Sequence, residues 1–104
     1  MDVKKYINDQ GKIAVLISPG FGAGWATLNS EYKDFLLFDR GLVELAQRNA
    51  KQFEVEGYLK SKGIEAYAAG WDSIKICWMD PETEFCVEEY YGNESLRYRN
   101  DGEL

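Results

Sequence analysis

The residues of this sequence that could do chemistry are carboxylates, two cysteines and a glycine-rich segment, because the chain contains no histidine. Imidazole is the commonest general acid or base near neutral pH and the commonest metal ligand. Nucleophilic sites of the Ser/His/Asp and Cys/His types are therefore excluded. The cysteines, Cys77 and Cys86, lack the C-x₂₋₄-C spacing of a zinc site. The sequence predicts a protein without enzymatic activity, metal or cofactor.

The glycine-rich segment at residues 19–25 is the first candidate for binding, because its glycines alternate with other residues. Backbone N–H groups can converge on an anion where side chains do not intervene. The Lys-Ser/Thr pair of a phosphate-binding P-loop is absent, since Trp25 and Ala26 follow the last glycine. Two interpretations stay open: a connection whose aromatic residues enter the core, or a loop that contacts a ligand or partner. The candidate contact residues are Gly20, Phe21, Gly22, Gly24 and Trp25.

The whole chain has a formal net charge of −6, and its acidic residues are concentrated in the last part. Residues 1–64 hold 9 basic and 8 acidic residues, whereas residues 65–104 hold 3 basic and 10 acidic residues. This charge opposes nucleic-acid binding, because phosphate contacts need cations. The acidic residues either keep the protein in solution or form a surface for a basic partner. The candidate partner contacts are Glu82, Glu84 and Glu94.

Glu89 is a separate candidate because the predicted strand pattern places it on the face of the sheet that packs against the core. A buried carboxylate must be hydrogen-bonded, paired or neutral, since an isolated buried charge is very costly. Glu89 then either reaches solvent or a backbone donor at the open end of the sheet, or faces a cavity and contacts a ligand.

Two segments in the first part of the chain predict the elements that must position these residues. The apolar run at residues 12–18, bounded by Gly11 and Pro19, predicts a buried, central strand. Asp39 can cap a helix that fills residues 40–62 as one bent helix or two short ones and ends before Gly63. Residues 29–38 are compatible with either a strand or a helical turn.

From residue 64 onward the pattern alternates with period two and predicts a meander of three strands at residues 73–79, 84–91 and 94–99. Turn residues at 80–83 and a two-residue loop at Gly92-Asn93 separate the strands. In this register the two cysteines lie side by side as free thiols. The predicted pairs are Trp78 with Phe85, Cys77 with Cys86, Lys75 with Glu88, Glu88 with Arg97, and Tyr91 with Glu94.

Together these elements predict one domain over residues 1–104, of the α+β class. We expect a mostly antiparallel sheet of four or five strands with one or two helices packed on one face. No apolar run approaches the roughly 20 residues of a membrane-spanning helix, and residues 1–12 lack the apolar region of a signal peptide. A cytoplasmic protein without membrane contact is therefore expected.

Three stretches resemble a group of small phage-encoded proteins of about this length. They are the Gly-Phe-Gly-Ala-Gly-Trp-Ala-Thr-Leu-Asn sequence at 20–29, Phe38-Asp39 followed by Leu-Val-Glu-Leu at 42–45, and Val-Glu-Glu-Tyr-Tyr-Gly-Asn-Glu at 87–94. The resemblance implies an accessory role: binding and inhibiting a host protein, such as an immune effector, or sequestering a signalling nucleotide. In the nucleotide interpretation the glycine-rich segment contacts phosphate. A homo-oligomer with a pocket between its subunits would favour this interpretation over inhibition of a host protein.

Overall fold

The computed structural model describes residues 3–19, 24–27, 29–66, 68–90 and 93–98. These residues form an α+β domain with three α-helices and two antiparallel two-stranded sheets. No helix within these ranges is long and apolar enough to cross a membrane. In chain order the elements are β1 (Ile13–Ile17), a 3₁₀ turn (Ser30–Tyr32), α1 (Lys33–Phe38), α2 (Arg40–Gln47), α3 (Gln52–Ser61), a second 3₁₀ turn (Ala69–Ser73), β2 (Lys75–Met79), β3 (Phe85–Tyr90) and β4 (Asn93–Tyr98).

Strand β1 lies at the centre of the core, as its uninterrupted apolar sequence predicts. Three of its residues, Ala14, Val15 and Leu16, are completely buried. Strand β2 pairs with it antiparallel on one edge, and Ile7 forms an isolated bridge to Ile13. Both neighbours satisfy backbone N–H and C=O groups that would be costly to bury without a partner.

The helical region at residues 40–62 consists of two helices, α2 and α3, one of the two predicted alternatives. Asp39 caps α2, because its Oδ2 accepts a hydrogen bond from the backbone N–H of Leu42 at 3.1 Å. The hydroxyl of Tyr58 donates to the same oxygen at 2.7 Å. Burial, together with this hydrogen bond, raises the pKa of Tyr58 above its ordinary value. The undecided residues 29–38 form a 3₁₀ turn followed by α1, which turns Phe35–Leu37 towards the core.

The predicted hairpin between the second and third strands is wrong. Strand β2 pairs with β1, so that Trp78 lies opposite Ala14, and β3 pairs with β4, so that Phe85 lies opposite Tyr98. A single sheet of four or five strands is not confirmed, since the described strands form two separate pairs. A turn between two strands does not by itself make them pair. The unpaired backbone N–H and C=O groups of a buried strand, here β1, also need a partner strand, and β2 supplies it.

The hairpin of β3 and β4 is present with a register shifted by two residues from the predicted one. Glu89 lies opposite Glu94 and Tyr90 opposite Asn93, so that Tyr91 and Gly92, which lie outside the described residues, connect the strands. A shift of two residues preserves the face to which every side chain points. The predicted contact of Glu88 with Arg97 is confirmed as a diagonal ion pair, with Oε1 and Nη1 separated by 2.9 Å.

The cysteines are free thiols, but the prediction that they lie side by side is wrong. Cys77 pairs with Val15 on β1, and Cys86 pairs with Arg97 on β4. Their surroundings differ, because Cys77 is half-buried whereas Cys86 is exposed. Burial raises the pKa of the Cys77 thiol, with a smaller opposing effect of Lys75.

We therefore expect iodoacetamide to alkylate Cys86 at least about tenfold faster than Cys77 near pH 8, because the reacting species is the accessible thiolate. Mass spectrometry of the two cysteine peptides over time measures both rates in one sample. Cys77→Ser and Cys86→Ser variants assign each signal. Equal rates in the folded protein would contradict the difference in burial.

Candidate functional site

The side chain of Glu94 is completely buried and binds both ends of the glycine-rich segment. Its Oε1 accepts a hydrogen bond from the backbone N–H of Ser18 at 2.9 Å. Its Oε2 accepts from the backbone N–H groups of Trp25 and Thr27, each at 2.9 Å, and from the Thr27 hydroxyl at 2.6 Å. The backbone N–H of Glu94 in turn donates to the Ser18 carbonyl at 3.0 Å. Four donors thus stabilise this carboxylate and join β4 to the chain on both sides of residues 19–24.

This arrangement corrects the expectation that Glu94 contacts a partner. A completely buried carboxylate with four hydrogen bonds cannot present its charge at a surface. The requirement stated for Glu89, that a buried carboxylate be hydrogen-bonded, applies instead to its cross-strand partner. Glu89 lies on the same face, but at its open end, where it is exposed.

The described end of the glycine-rich segment is part of the core. Trp25 is completely buried, and its indole Nε1–H donates to the Leu36 carbonyl at 2.8 Å. Its ring centroid lies 5.6 Å from that of Trp71. This favours the interpretation in which Trp25 enters the core and contradicts a role in stacking on a nucleotide base. Gly20, Phe21 and Gly22 lie outside the described residues.

Gly24 is also buried, and a close backbone approach explains why glycine occurs there and at Gly70. Gly24 has a φ of 79°, in the left-handed region that residues with a Cβ avoid. A Cβ added at Gly70 would lie 1.7 Å from the carbonyl oxygen of Gly24. The Ser18 hydroxyl donates to the Gly70 carbonyl at 2.7 Å. The second 3₁₀ turn therefore packs directly against the end of the glycine-rich segment.

Exposed carboxylates lie in the turn after β2, just before β3 and in the second half of β3, and we call this set the acidic surface. All of them are exposed, and residues 80–89 contain no lysine or arginine. A backbone hydrogen bond from Thr83 to Asp80, 3.0 Å long, closes the turn that presents the first of them. Two exposed aromatic residues adjoin this segment in the sequence: Trp78, which is 38% exposed, and Tyr90, which is 65% exposed. The acidic surface consists of Asp80, Glu82, Glu84, Glu88 and Glu89.

A groove of about 410 Å³ borders the acidic surface between α1 and β3. Its lining includes the apolar side chains of Leu37 and Phe38 and the charged side chains of Lys33, Asp34 and Glu84. The rings of Phe38 and Phe85 meet edge to face, with centroids 6.0 Å apart. The groove thus combines an aromatic contact with a charged border that holds two carboxylates and one lysine.

Two further cavities among the described residues are lined in part by charged side chains. One, of about 550 Å³, lies between the α2–α3 connection and β2 and includes Lys51, Gln52 and Asp72. The other, of about 430 Å³, surrounds Asp39 with Lys4 and Arg40. Across the described part of the chain, no group of three or more Cys, Asp or Glu side chains could hold a metal ion.

Comparison with known proteins gave no match to a protein-family model, a curated protein or a solved structure. Burial, charge and contacts of the described residues are therefore the basis for a functional proposal. Of the residues singled out in the sequence, Glu82, Glu84 and Glu89 are each exposed, while Gly24, Trp25 and Glu94 are internal.

The sequence analysis predicted Glu94 as a partner contact rather than as a buried acceptor, and it did not predict the importance of Gly70. For Glu94 a signal was present, because it has the same strand parity as Leu96 and so points to the same face of the sheet. For Gly70 no local pattern indicates the approach of the Gly24 carbonyl, which comes from a distant part of the sequence.

Proposed function

We propose that this chain is a non-enzymatic binding protein that recognises a basic surface on another protein through the acidic surface. The observation that carries the proposal is the exposure of all five carboxylates in residues 80–89, which contain no lysine or arginine. One of the five, Glu88, also pairs with Arg97 of β4. Such a concentration of one charge attracts an oppositely charged partner and selects against like-charged ones. Attraction of this kind raises the rate and specificity of association more than its final affinity.

The exposed aromatic residues beside the acidic surface support binding over a role in solubility alone. A solubilising surface needs only charge, whereas protein interfaces are enriched in aromatic side chains that supply apolar contact area. Trp78 contributes such an area at one end of the segment and Tyr90 at the other. Carboxylates between two exposed rings fit a partner that carries both basic and apolar groups.

The resemblance of residues 20–29, 42–45 and 87–94 to small phage-encoded proteins supports a bacterial host protein as the partner, and the host cytoplasm as the location. Inhibition would then follow from occupation of a basic site that the host protein needs for its own function. The lack of histidine in the sequence supports a role without catalysis.

Charge reversal tests this proposal with a matched control. We expect the double variant Glu82→Lys, Glu84→Lys to capture its partner from a bacterial lysate at least about tenfold less efficiently than the unchanged chain. The variant Glu56→Lys, Glu65→Lys makes the same change in net charge at exposed positions away from the acidic surface and should capture normally.

The captured protein is quantified by mass spectrometry at low salt and at about 0.15 M salt, where exposed charges are screened beyond roughly 8 Å. Equal capture by both double variants and the unchanged chain would contradict the proposal. A parallel loss in both double variants would also contradict it, because net charge rather than the acidic surface would then be responsible.

A further inference from the structure

We infer that the partner adds an extended basic segment as a new strand along the outer edge of β3, beside the groove between β3 and α1. This inference rests on the proposed function and specifies the kind of partner segment. Addition of a strand to an exposed sheet edge is an established mode of peptide recognition, in which backbone hydrogen bonds supply affinity and alternate side chains supply specificity.

The backbone of β3 offers hydrogen-bonding groups on the side away from β4. The N–H of Glu94 donates to Ser18 rather than to its cross-strand partner Glu89, so this pair is not hydrogen-bonded. Hydrogen-bonded and non-bonded pairs alternate along an antiparallel ladder. The pairs of Val87 with Leu96 and of Phe85 with Tyr98 are then also non-bonded, and the N–H and C=O groups of Val87 and Phe85 point away from β4.

Within the described ranges, β4 is the only strand paired with β3. The edge formed by Val87 and Phe85 is thus available for a further strand, with room for about three residues that match the outward groups of β3. Unpaired edges are a liability for aggregation, and charged side chains on the strand limit pairing with unselected chains. Glu88 and Glu89 are such charged side chains on β3.

The groove and the carboxylates determine the chemistry of the added segment. Successive side chains of a strand point to opposite faces, so an added strand would direct one set of side chains to the apolar groove wall at Leu37 and Phe38. The other set would lie on the opposite face of β3, which carries Glu88, whereas Glu89 lies on the groove side. An alternation of basic with apolar β-branched residues satisfies both, because cross-strand pairs of opposite charge are favourable.

A second copy of this chain is a poorer occupant of the same edge. Pairing of β3 with β3 of another copy would bring Glu88 and Glu89 of both copies into two adjacent strands. Like charges on neighbouring strands are destabilising. Charge complementarity therefore favours a basic segment of another protein over self-association.

The test uses a capped peptide of about ten residues that alternates lysine with valine, long enough to span β3. Its binding to the full chain is measured by isothermal calorimetry at about 0.15 M salt, together with hydrogen exchange of the Val87 amide. The matched probe is the same peptide with its central amides N-methylated, which keeps the charge and the side chains but removes the donors. We expect the N-methylated peptide to bind at least about tenfold more weakly, because several backbone hydrogen bonds are lost. We also expect the unmodified peptide to slow exchange at Val87.

Three results would overturn the inference. Binding of the N-methylated peptide within about twofold of the unmodified one would show that charge alone attracts the peptide. Absence of binding by either peptide would remove strand addition, and the lysate capture with charge-reversed variants would still decide the proposed function. A concentration-dependent dimer of the peptide-free chain that protects Val87 would assign the edge to a second copy.

Discussion

Replacing Glu94 with alanine is expected to lower the free energy of unfolding by at least about 3 kcal/mol. The change removes the acceptor for three backbone N–H groups and one hydroxyl, all in or beside the core. Each buried donor left without a partner costs about 1 to 3 kcal/mol, and water entering the vacated space recovers only part of this. Urea unfolding followed by tryptophan fluorescence measures the loss, with Trp25 as a reporter next to the substituted side chain.

Glu89 provides a control at the directly opposed position of the same hairpin. Glu89→Ala removes the same charge from an exposed site and should change the free energy of unfolding by no more than about 0.5 kcal/mol. Glu94→Gln retains one acceptor oxygen and should lie between the two, with a loss of about 1 to 3 kcal/mol. Equal stabilities of the Glu94→Ala and Glu89→Ala proteins would contradict the buried position of Glu94.

Gly70→Ala is the second substitution for which a large loss is expected, of about 3 kcal/mol. The added Cβ would lie 1.7 Å from the Gly24 carbonyl oxygen and 3.2 Å from the Ser18 hydroxyl oxygen. The obstacle is backbone rather than the end of a flexible side chain, so one segment must move. Movement of the second 3₁₀ turn would also strain the hydrogen bond between Ser18 and Gly70.

Gly57→Ala is the matched control, because it makes the same chemical change within α3. A Cβ at that position meets nothing within 4 Å. Alanine in a helix is more favourable than glycine by about 0.5 to 1 kcal/mol, so this variant should be slightly more stable than the unchanged chain. Thermal unfolding of both variants measures the two effects. A Gly70→Ala protein as stable as the Gly57→Ala protein would contradict the close approach of residues 24 and 70.

The elements that were predicted correctly are those whose pattern is local. The apolar run of β1, the Asp39 cap with Gly63 after the last helix, and the alternation of β3 and β4 are each contained in a short window of sequence. No short stretch of sequence indicates which distant strands pair with each other. Strand β2 has alternation that fits either β1 or β3 as a neighbour, and the buried edge of β1 determines the pairing.

The candidate site shows the same limit. The alternation of the strands predicted a carboxylate, that of Glu89, on the core side of the β3–β4 hairpin. The inference that a buried carboxylate there must be hydrogen-bonded was correct. The residue that meets the requirement is Glu94, whose donors lie 67 to 76 residues earlier in the chain. No periodicity in the last strand indicates where those N–H groups lie. The exposed positions of Glu82 and Glu84 were easier to predict, because carboxylates are rarely buried.

The internal position of Glu94 also changes how the acidic surface is tested. A charge-reversal series that includes this residue would damage the fold and lower binding for a reason unrelated to recognition. Substitutions at Glu82 and Glu84 avoid this, because both side chains are exposed. Stability and binding can therefore be separated within a short segment of the chain.

Carboxylate labelling of the captured complex tests the central claim, recognition through the acidic surface, most directly. A carbodiimide with an amine reagent modifies accessible carboxylates, and mass spectrometry quantifies each site in the free chain and in the complex. We expect the extent of labelling at Glu82 and Glu84 to fall at least about tenfold on binding, because an interface excludes the reagent as it excludes water. Glu56 and Glu65, exposed elsewhere on the chain, should be labelled equally in both states. Unchanged labelling of Glu82 and Glu84 in a complex that protects other carboxylates would contradict the account.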